Sequence, residues 1–379
     1  MLDQESFFNK LTENGIFFFT GVPDSLLNDF CKYLIKNIDK ENHVLAANEG
    51  NAVGIAAGYY LSTKKVPLVY MQNSGLGNTL NPLLSLADKC VYSIPMVLLI
   101  GWRGDPDIVD HPQHELQGIV TPKLLDISNI PYKTLDDDKC DYNSVIKWAY
   151  ETAVSNSMPA AILVKKNVLS KNKGVEVYEG NETYSLSRSE AIEIVLNSFP
   201  KDTIFVASTG RITRELYWLR ESRKETHKND FLNVGAMGHT SSIALGLAIK
   251  NPNRKVVCLD GDAATLMHMG CLPINGCQDL NNFVHIVLNN GSHESVGGQD
   301  SVGFDISINN IAKESGYNIS PKYVTTKEEI EDAIVKNRDR YPLFMEVRVK
   351  KGISGSLPPL DFDLKVAVSE FLENNLMRK

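Results

Sequence analysis

Short apolar runs alternate with stretches of helical periodicity along the whole 379-residue chain. Runs such as Met96-Val97-Leu98-Leu99-Ile100 are apolar at successive positions, the pattern of a strand covered on both faces of its sheet. Strands alternating with helices predict a parallel α/β architecture. In the first half the pattern predicts strands over Ile16–Thr20, His43–Ala47, Pro67–Gln72, Pro95–Gly101 and Ala160–Lys166, with helices starting near Asp24, Glu49, Leu76 and Tyr142. In the second half it predicts strands Thr203–Ala207, Phe231–Val234, Val256–Asp260, Phe283–Leu288 and Leu343–Val349, and helices Ser187–Ser198, Thr240–Ile249, Glu328–Lys336 and Leu364–Leu376. Ser187 and Glu190 stand at capping-box spacing.

Between the halves, Asn167–Ser185 is rich in Lys, Asn, Gly, Glu and Ser and weakly periodic, the composition of a surface linker. The expected organisation is therefore a first domain over residues 1–168, a linker over 169–186 and a second domain over 187–379. In open parallel sheets ligands bind beyond the carboxyl ends of the strands, so strand ends are where chemistry is sought.

A net charge of −7 argues against nucleic acid as a partner, because phosphate backbones select basic faces. No apolar run reaches the roughly 18 residues of a membrane span, and the N-terminus lacks a signal-peptide pattern. The six cysteines, Cys31, Cys90, Cys140, Cys258, Cys271 and Cys277, show no CxxC spacing. Several sit in apolar strand or helix contexts, which suggests buried thiols in a reducing cytoplasm rather than metal ligands.

Two strand ends carry oxygen donors. One strand runs into Asp260-Gly261-Asp262-Ala263-Ala264, the next into Asn289-Asn290-Gly291-Ser292. Carboxylate, amide and carbonyl oxygens suit a hard divalent cation shared with phosphate oxygens. The candidate ligands are Asp262, Asn290 and the backbone carbonyl of Ser292. Gly261, Ala263 and Ala264 leave room for diphosphate at a helix N-terminus. Alone, Asp262 also reads as a helix-start residue and Asn289-Asn290 as a turn. The pair of aspartates also opens haloacid dehalogenase-type phosphatases, with Asp260 as nucleophile, but Thr265 stands one place late for that motif.

A second constellation, Ala46-Ala47-Asn48-Glu49-Gly50-Asn51-Ala52-Val53-Gly54, enters a helix of small residues that must approach its neighbour closely. By itself it reads as an Asn48 cap with Glu49 complementing the dipole. Ser208-Thr209-Gly210 ends another strand, Gln72-Asn73-Ser74-Gly75 forms a Gly-rich strand end, and Gly235-Ala236-Met237-Gly238 follows a third. GxxxxGK[ST], HExxH and GxSxG are absent, which removes P-loop NTPase, zincin and serine hydrolase readings.

Taken together, these motifs resemble the thiamine diphosphate-dependent 2-oxo acid decarboxylases in a shortened form. Asn289–Gln299 and Pro112–Gly118 resemble the phosphonopyruvate and sulfopyruvate decarboxylase branch. The resemblance implies two thiamin-diphosphate-binding-type α/β domains, pyrimidine-binding then diphosphate-binding, without a central third domain. It implies thiamine diphosphate and Mg²⁺ as cofactors and Glu49 hydrogen-bonding the aminopyrimidine. It places Asn73, Gly75, Ser208, Thr209, Gly210, Gly235, Met237, Gly261, Asp262, Ala263, Ala264 and Asn290 against the cofactor, with Met237 as its apolar prop. The implied reaction is decarboxylation of 3-phosphonopyruvate to phosphonoacetaldehyde, with sulfopyruvate or another small anionic 2-oxo acid as the alternative. The implied assembly is a homodimer or larger, with sites between subunits.

The adjacent His-His pair and the glutamate six residues past the ligand Asn, found in pyruvate decarboxylases, are missing. His111 and His114 are separated, and Val296 stands at the glutamate's place. His114, His293 and Glu294 are the acid/base candidates. Arg103, Arg211, Arg214, His111 and His293 are candidates for the phosphonate.

Overall fold

In the computed structural model, which describes residues 2–136, 141–169, 183–320, 322–352, 357, 358 and 360–376, the apolar runs form two six-stranded parallel sheets. The chain divides into two compact units, Met1–Val175 and Glu176–Lys379. Most of the expected linker, residues 170–182, lies outside the described residues, as does Cys140.

In the first unit the strands are β1 (Phe19–Gly21), β2 (His43–Leu45), β3 (Leu68–Gln72), β4 (Val97–Gly101), β5 (Tyr132–Leu135) and β6 (Ala160–Val164), in the order β2–β1–β3–β4–β6–β5. Its helices are α1 (Gln4–Glu13), α2 (Asn28–Asn37), α3 (Glu49–Thr63), α4 (Leu76–Pro82), α5 (Pro112–Ile127) and α6 (Tyr142–Asn156). One face of the sheet packs Phe7, Phe19, Phe30 and Tyr70. The other packs Val53, Met71, Leu98 and Ile100. This two-sided burial explains why its central strands read as unbroken apolar runs.

The second unit contains β7 (Ile204–Ala207), β8 (Asp230–Leu232), β9 (Val256–Gly261), β10 (Phe283–Asn289), a small antiparallel pair β11 (Ser292–His293) and β12 (Gln299–Asp300), then β13 (Asn318–Ile319) and β14 (Leu343–Arg348). The main sheet runs β13–β14–β10–β9–β7–β8. Its helices are α7 (Arg188–Ser198), α8 (Arg211–Ser222), α9 (Thr240–Lys250), α10 (Asp262–Met267), α11 (Cys271–Gly276), α12 (Ile308–Glu314), α13 (Lys327–Lys336) and α14 (Leu364–Leu376). The Ser187–Glu190 capping box forms at α7 with both reciprocal bonds present.

Several boundaries differ from the expectation. The helix expected near Asp24 starts at Asn28, because the Asp24 carboxylate accepts from the backbone N–H groups of Leu26 and Leu27 and holds a turn there. Helices α1, α5, α8, α11 and α12 and strands β5, β11, β12 and β13 lie outside the expected set. In α8, Glu215 is buried beside Ile212 and Leu216, so its inward face is not apolar throughout. In α5, Pro122 and a mixed burial pattern obscure the period.

In both sheets the chain goes first to one side and then returns to the other. The first sheet reverses between β1 and β3, the second between β7 and β9. The loops that diverge at such a point leave a crevice at the carboxyl edge. Those loops carry Asp24 and Asn73–Gly75 in the first unit, and Ser208–Gly210 and Gly261–Asp262 in the second.

Candidate active site

In the first unit, Glu49 is the first residue of α3 and is buried. Asn48 caps the helix by accepting from the N–H of Asn51 at 2.9 Å, so the dipole-side role does not require Glu49 to face solvent. Its carboxylate turns inward, and Oε2 accepts from Asn78 Nδ2 at 2.8 Å. Gly75 permits this, since a β-carbon there would collide with Glu49 Oε1, Cδ and Cγ. Asn73 is fully engaged: its Nδ2 donates to the Arg103 carbonyl (2.8 Å) and Thr121 Oγ1 (3.0 Å), and its Oδ1 accepts from Arg103 N–H (3.1 Å). Its amide ties the β3 end to the β4 end.

A residue that sequence reasoning passed over lies at the β1 end. Asp24 is completely buried, its Oδ1 has no hydrogen-bond partner, and burial pushes its carboxyl up to about 6. Gly101 leaves the space its carboxylate fills. Arg103 lies close enough to favour the charged form and donates from Nη1 to Ser25 Oγ at 2.8 Å. Arg103 is itself held by Asp110, which accepts from its Nε and Nη2. His114 Nδ1 is 3.2 Å from Asp110 Oδ1, and burial followed by the Arg103 charge lowers the imidazole below its ordinary value. In the sequence Asp24 reads only as the start of a helix, and burial of a lone aspartate is not visible in spacing.

In the second unit, parallel pairing in register, with Leu288 opposite Gly261, brings Asp262 and Asn290 to neighbouring strand tips. Asp262 is buried, and the backbone N–H of Asn290 hydrogen-bonds its carboxylate. Ser301 Oγ donates to Asp262 Oδ2. Burial still raises the Asp262 carboxyl to about 6, as for an acid lacking a cationic neighbour. Asn290 Oδ1 accepts from Ser292 N–H at 3.1 Å, so the backbone curls around the site. Asn289 anchors the turn from below, donating to Glu346 Oε1 (2.9 Å) and the Gly303 carbonyl (2.7 Å). Only glycine fits at 303, where a β-carbon would lie 2.6 Å from both Asn289 Oδ1 and Asp262 Oδ2.

All these donors are oxygens, the set a hard divalent ion takes, and a cation here would meet the charge that Asp262 lacks. At Gly261 an added β-carbon meets only Ile212 Cδ1, at 3.7 Å, which leaves the space a diphosphate needs. One expectation changes. The helix carrying Ala263 and Ala264 has six residues, so its dipole is small and the cation must supply most of the attraction for an anion.

Around this centre, Ser208 is buried with an unpartnered Oγ. Gly210 adopts φ +98°, a conformation open to glycine, and Thr209 lies between them. Gly235 N–H donates to Asn233 Oδ1 at 3.2 Å. Met237 follows, with its carbonyl 3.2 Å from His239 Nδ1.

Two acid/base candidates are constrained. Burial lowers His293 to about 4, so at neutral pH it is an uncharged imidazole, not an imidazolium donor. Glu294 accepts from Arg188 Nη1 (2.7 Å) and from Gly352 N–H (2.6 Å), while Arg188 grips Glu215 with Nε and Nη2. Both Glu294 oxygens are committed to holding the loop.

The phosphatase alternative does not survive. Asp260 is 1% exposed, its carboxylate accepts from Gly261 N–H and Thr265 Oγ1, and His285 Nε2 lies 3.4 Å away. No substrate reaches it. Cys258, Asp260 and His285 have metal-ligand spacing but lie inside the unit's core.

Residues 4–124 match the thiamine pyrophosphate enzyme N-terminal TPP binding domain, and 208–347 the C-terminal TPP binding domain. A phosphonopyruvate decarboxylase of Streptomyces viridochromogenes is 31% identical over 337 residues, covering 86% of this chain and 82% of that protein. One from Streptomyces hygroscopicus is 31% identical over 84% of this chain and 80% of its own. A sulfopyruvate decarboxylase of Methanosarcina acetivorans is 28% identical over 99% of this chain and 98% of its own. Two TPP-binding domains, each with its buried acidic centre at the carboxyl edge of a parallel sheet, make this chain a member of the thiamine pyrophosphate enzymes, among their decarboxylases.

Proposed function

We propose that the chain decarboxylates 3-phosphonopyruvate to phosphonoacetaldehyde and CO₂, using thiamine diphosphate and Mg²⁺. The similarity to two phosphonopyruvate decarboxylases across most of both chains carries this reading. Residues 1–168 take the pyrimidine-binding role and 187–379 the diphosphate-binding role, joined by 169–186. Asp262, Asn290 and the Ser292 carbonyl hold Mg²⁺. Ser208, Thr209, Gly210, Gly235, Met237, Gly261, Ala263 and Ala264 shape the bed for the cofactor. When bound, the cofactor supplies the electron sink into which the carboxylate's bonding pair passes as CO₂ leaves.

The remaining work is done by the chain's own groups. Glu49, steadied by Asn78, hydrogen-bonds the aminopyrimidine. Asp24, with a carboxyl near 6, is poised to hold a proton and release it at neutral pH. His114, oriented by Asp110, is its companion. His293 and Glu294 position the Asn290 loop.

A second copy completes the site, so that Glu49 of one protomer serves the metal group of its partner. The Gly54–Gly58 face of α3 supports this, since added side chains there would meet nothing within 4 Å and another helix has room to approach. No helix among the described residues is long and apolar enough to cross a membrane.

The test is a steady-state assay with phosphonopyruvate, sulfopyruvate and pyruvate, omitting thiamine diphosphate and Mg²⁺ in turn. The expected result is phosphonoacetaldehyde formation that needs both cofactors. Turnover of sulfopyruvate in preference would select the second reading, which the Methanosarcina relative favours.

A further inference from the structure

We propose that Arg211 and Arg214, on the first turn of α8, form the recognition site for the dianionic phosphonate of the substrate. The assignment rests on the reading above and narrows it to two residues. They lie three positions apart, hence on one face of the helix, and both are half-buried. Neither guanidinium hydrogen-bonds or ion-pairs with any described residue.

Their placement is unfavourable on two counts. Like charges at this spacing repel, and cations at a helix N-terminus oppose the macrodipole. Gly210 offers no side chain to cap the turn. Ser208 Oγ, immediately upstream, is 1% exposed and unpartnered. Two guanidinium groups on one helix face, with no hydrogen-bond or ion-pair partner among the described residues, are what a multiply charged oxyanion needs. Burial, and then the neighbouring charges of Arg214 and Arg188, lower the Arg211 guanidinium from its ordinary value. The carboxylates of Glu294 and Glu215 act on it in the opposite sense.

The other cations of the sequence shortlist are committed or elsewhere. Arg103 is gripped by Asp110. His111 is exposed at the start of α5. Arg188 is consumed by Glu215 and Glu294. Asp262, Asn290 and their metal ion already answer the cofactor's diphosphate, so the arginine pair is free for a second anion. Two guanidinium groups match a dianion better than the single charge of a sulfonate.

The experiment compares R211A, R214A and the double variant with the wild-type holoenzyme. Three quantities are read: KM and kcat for phosphonopyruvate, sulfopyruvate and pyruvate; thiamine diphosphate affinity by circular dichroism; and the melting temperature of the cofactor-free protein. Each single variant is expected to raise KM for phosphonopyruvate about 10- to 100-fold, the range for losing a hydrogen bond to a charged group, and to erode preference over pyruvate. R211K is expected to recover part of the loss. Cofactor affinity is expected to hold, and the cofactor-free melting temperature to rise as the repulsion is relieved. An unchanged KM for phosphonopyruvate overturns the assignment. So does a fall in cofactor affinity with KM preserved, which would give the arginines to the cofactor. Failure of the wild-type enzyme to turn over phosphonopyruvate at all would instead remove the reading on which the assignment rests.

Discussion

The carboxylate of Glu49 fills the space in which any side chain at position 75 would lie, a β-carbon on Gly75 falling well inside van der Waals distance of its Oε1, Cδ and Cγ. The 3₁₀ turn Asn73–Gly75 thus acts as a wall that fixes where the carboxylate points. The obstructed atoms belong to the far end of a flexible side chain, so in G75A Glu49 gives way before the fold does. We expect kcat to fall by about 100-fold, within the range for a misplaced acid/base group, with a melting curve close to wild type. E49Q should match that loss. Unimpaired turnover in both variants would remove Glu49 from the mechanism.

Asp24 predicts a pH dependence of stability with a definite sign. Its carboxyl rises from 3.8 to about 6 in the folded chain, so between those values the native state holds a proton that the unfolded chain has released. Stability therefore falls as pH rises across that window and levels off above it. The penalty is about 3 kcal/mol at neutral pH, from the size of the shift at roughly 1.4 kcal/mol per unit. D24N abolishes it. Urea unfolding at pH 4 and pH 7 should show the variant gaining on wild type at the higher pH while losing decarboxylase activity. A variant that gains nothing on wild type between pH 4 and pH 7 would mean that burial does not raise the Asp24 carboxyl in the native state.

Arg188 closes a buried triad with Glu215 and Glu294. Removing the cation leaves two carboxylates desolvated without a partner, which costs about 3–5 kcal/mol. R188M is expected to lower the unfolding free energy by that amount, while the triple variant R188M/E215Q/E294Q recovers most of it. Equal losses in both would show that side-chain packing, not charge, is at stake.

How much of this was legible in the sequence depends on the range of the interaction. Strands buried on both faces announce themselves in consecutive apolar residues, and oxygen-bearing side chains at neighbouring strand tips, such as Asp262 and Asn290, in the apolar runs that precede them. Glu49 was legible for the same reason, at the start of a helix of small residues. What stayed hidden depends on partners distant in sequence. The Arg188–Glu294 contact spans 106 residues, and no local spacing foretells it. Asp24 reads as the start of a helix until the sheet closes over it. Ser301 and Gly303 sit in an unremarkable Gln299–Phe304 stretch, and only the fold sets them against Asp262. Glu294 shows the same limit, since its residue type suggests acid/base work while its ion pair with Arg188 appears only in the fold.

Ser301 leads to the last prediction, on the metal. Its hydroxyl donates to Asp262 Oδ2 and accepts from Gly303 N–H, which orients the carboxylate toward the Asn290 turn. Outer partners of this kind typically change metal affinity 10- to 100-fold. We expect S301A to raise the Mg²⁺ concentration for half-maximal cofactor binding by about 10-fold, and D262N and N290A by more. In wild-type protein with thiamine diphosphate, a hundredfold excess of Mg²⁺ over its dissociation constant should add about 2.7 kcal/mol of stability by mass action. In D262N that increment should vanish, because the charge that draws the ion in is gone. Circular dichroism of the bound cofactor and thermal melts across a Mg²⁺ series measure both. A D262N protein that still gains stability from Mg²⁺ would mean that the cation is held somewhere other than these strand tips.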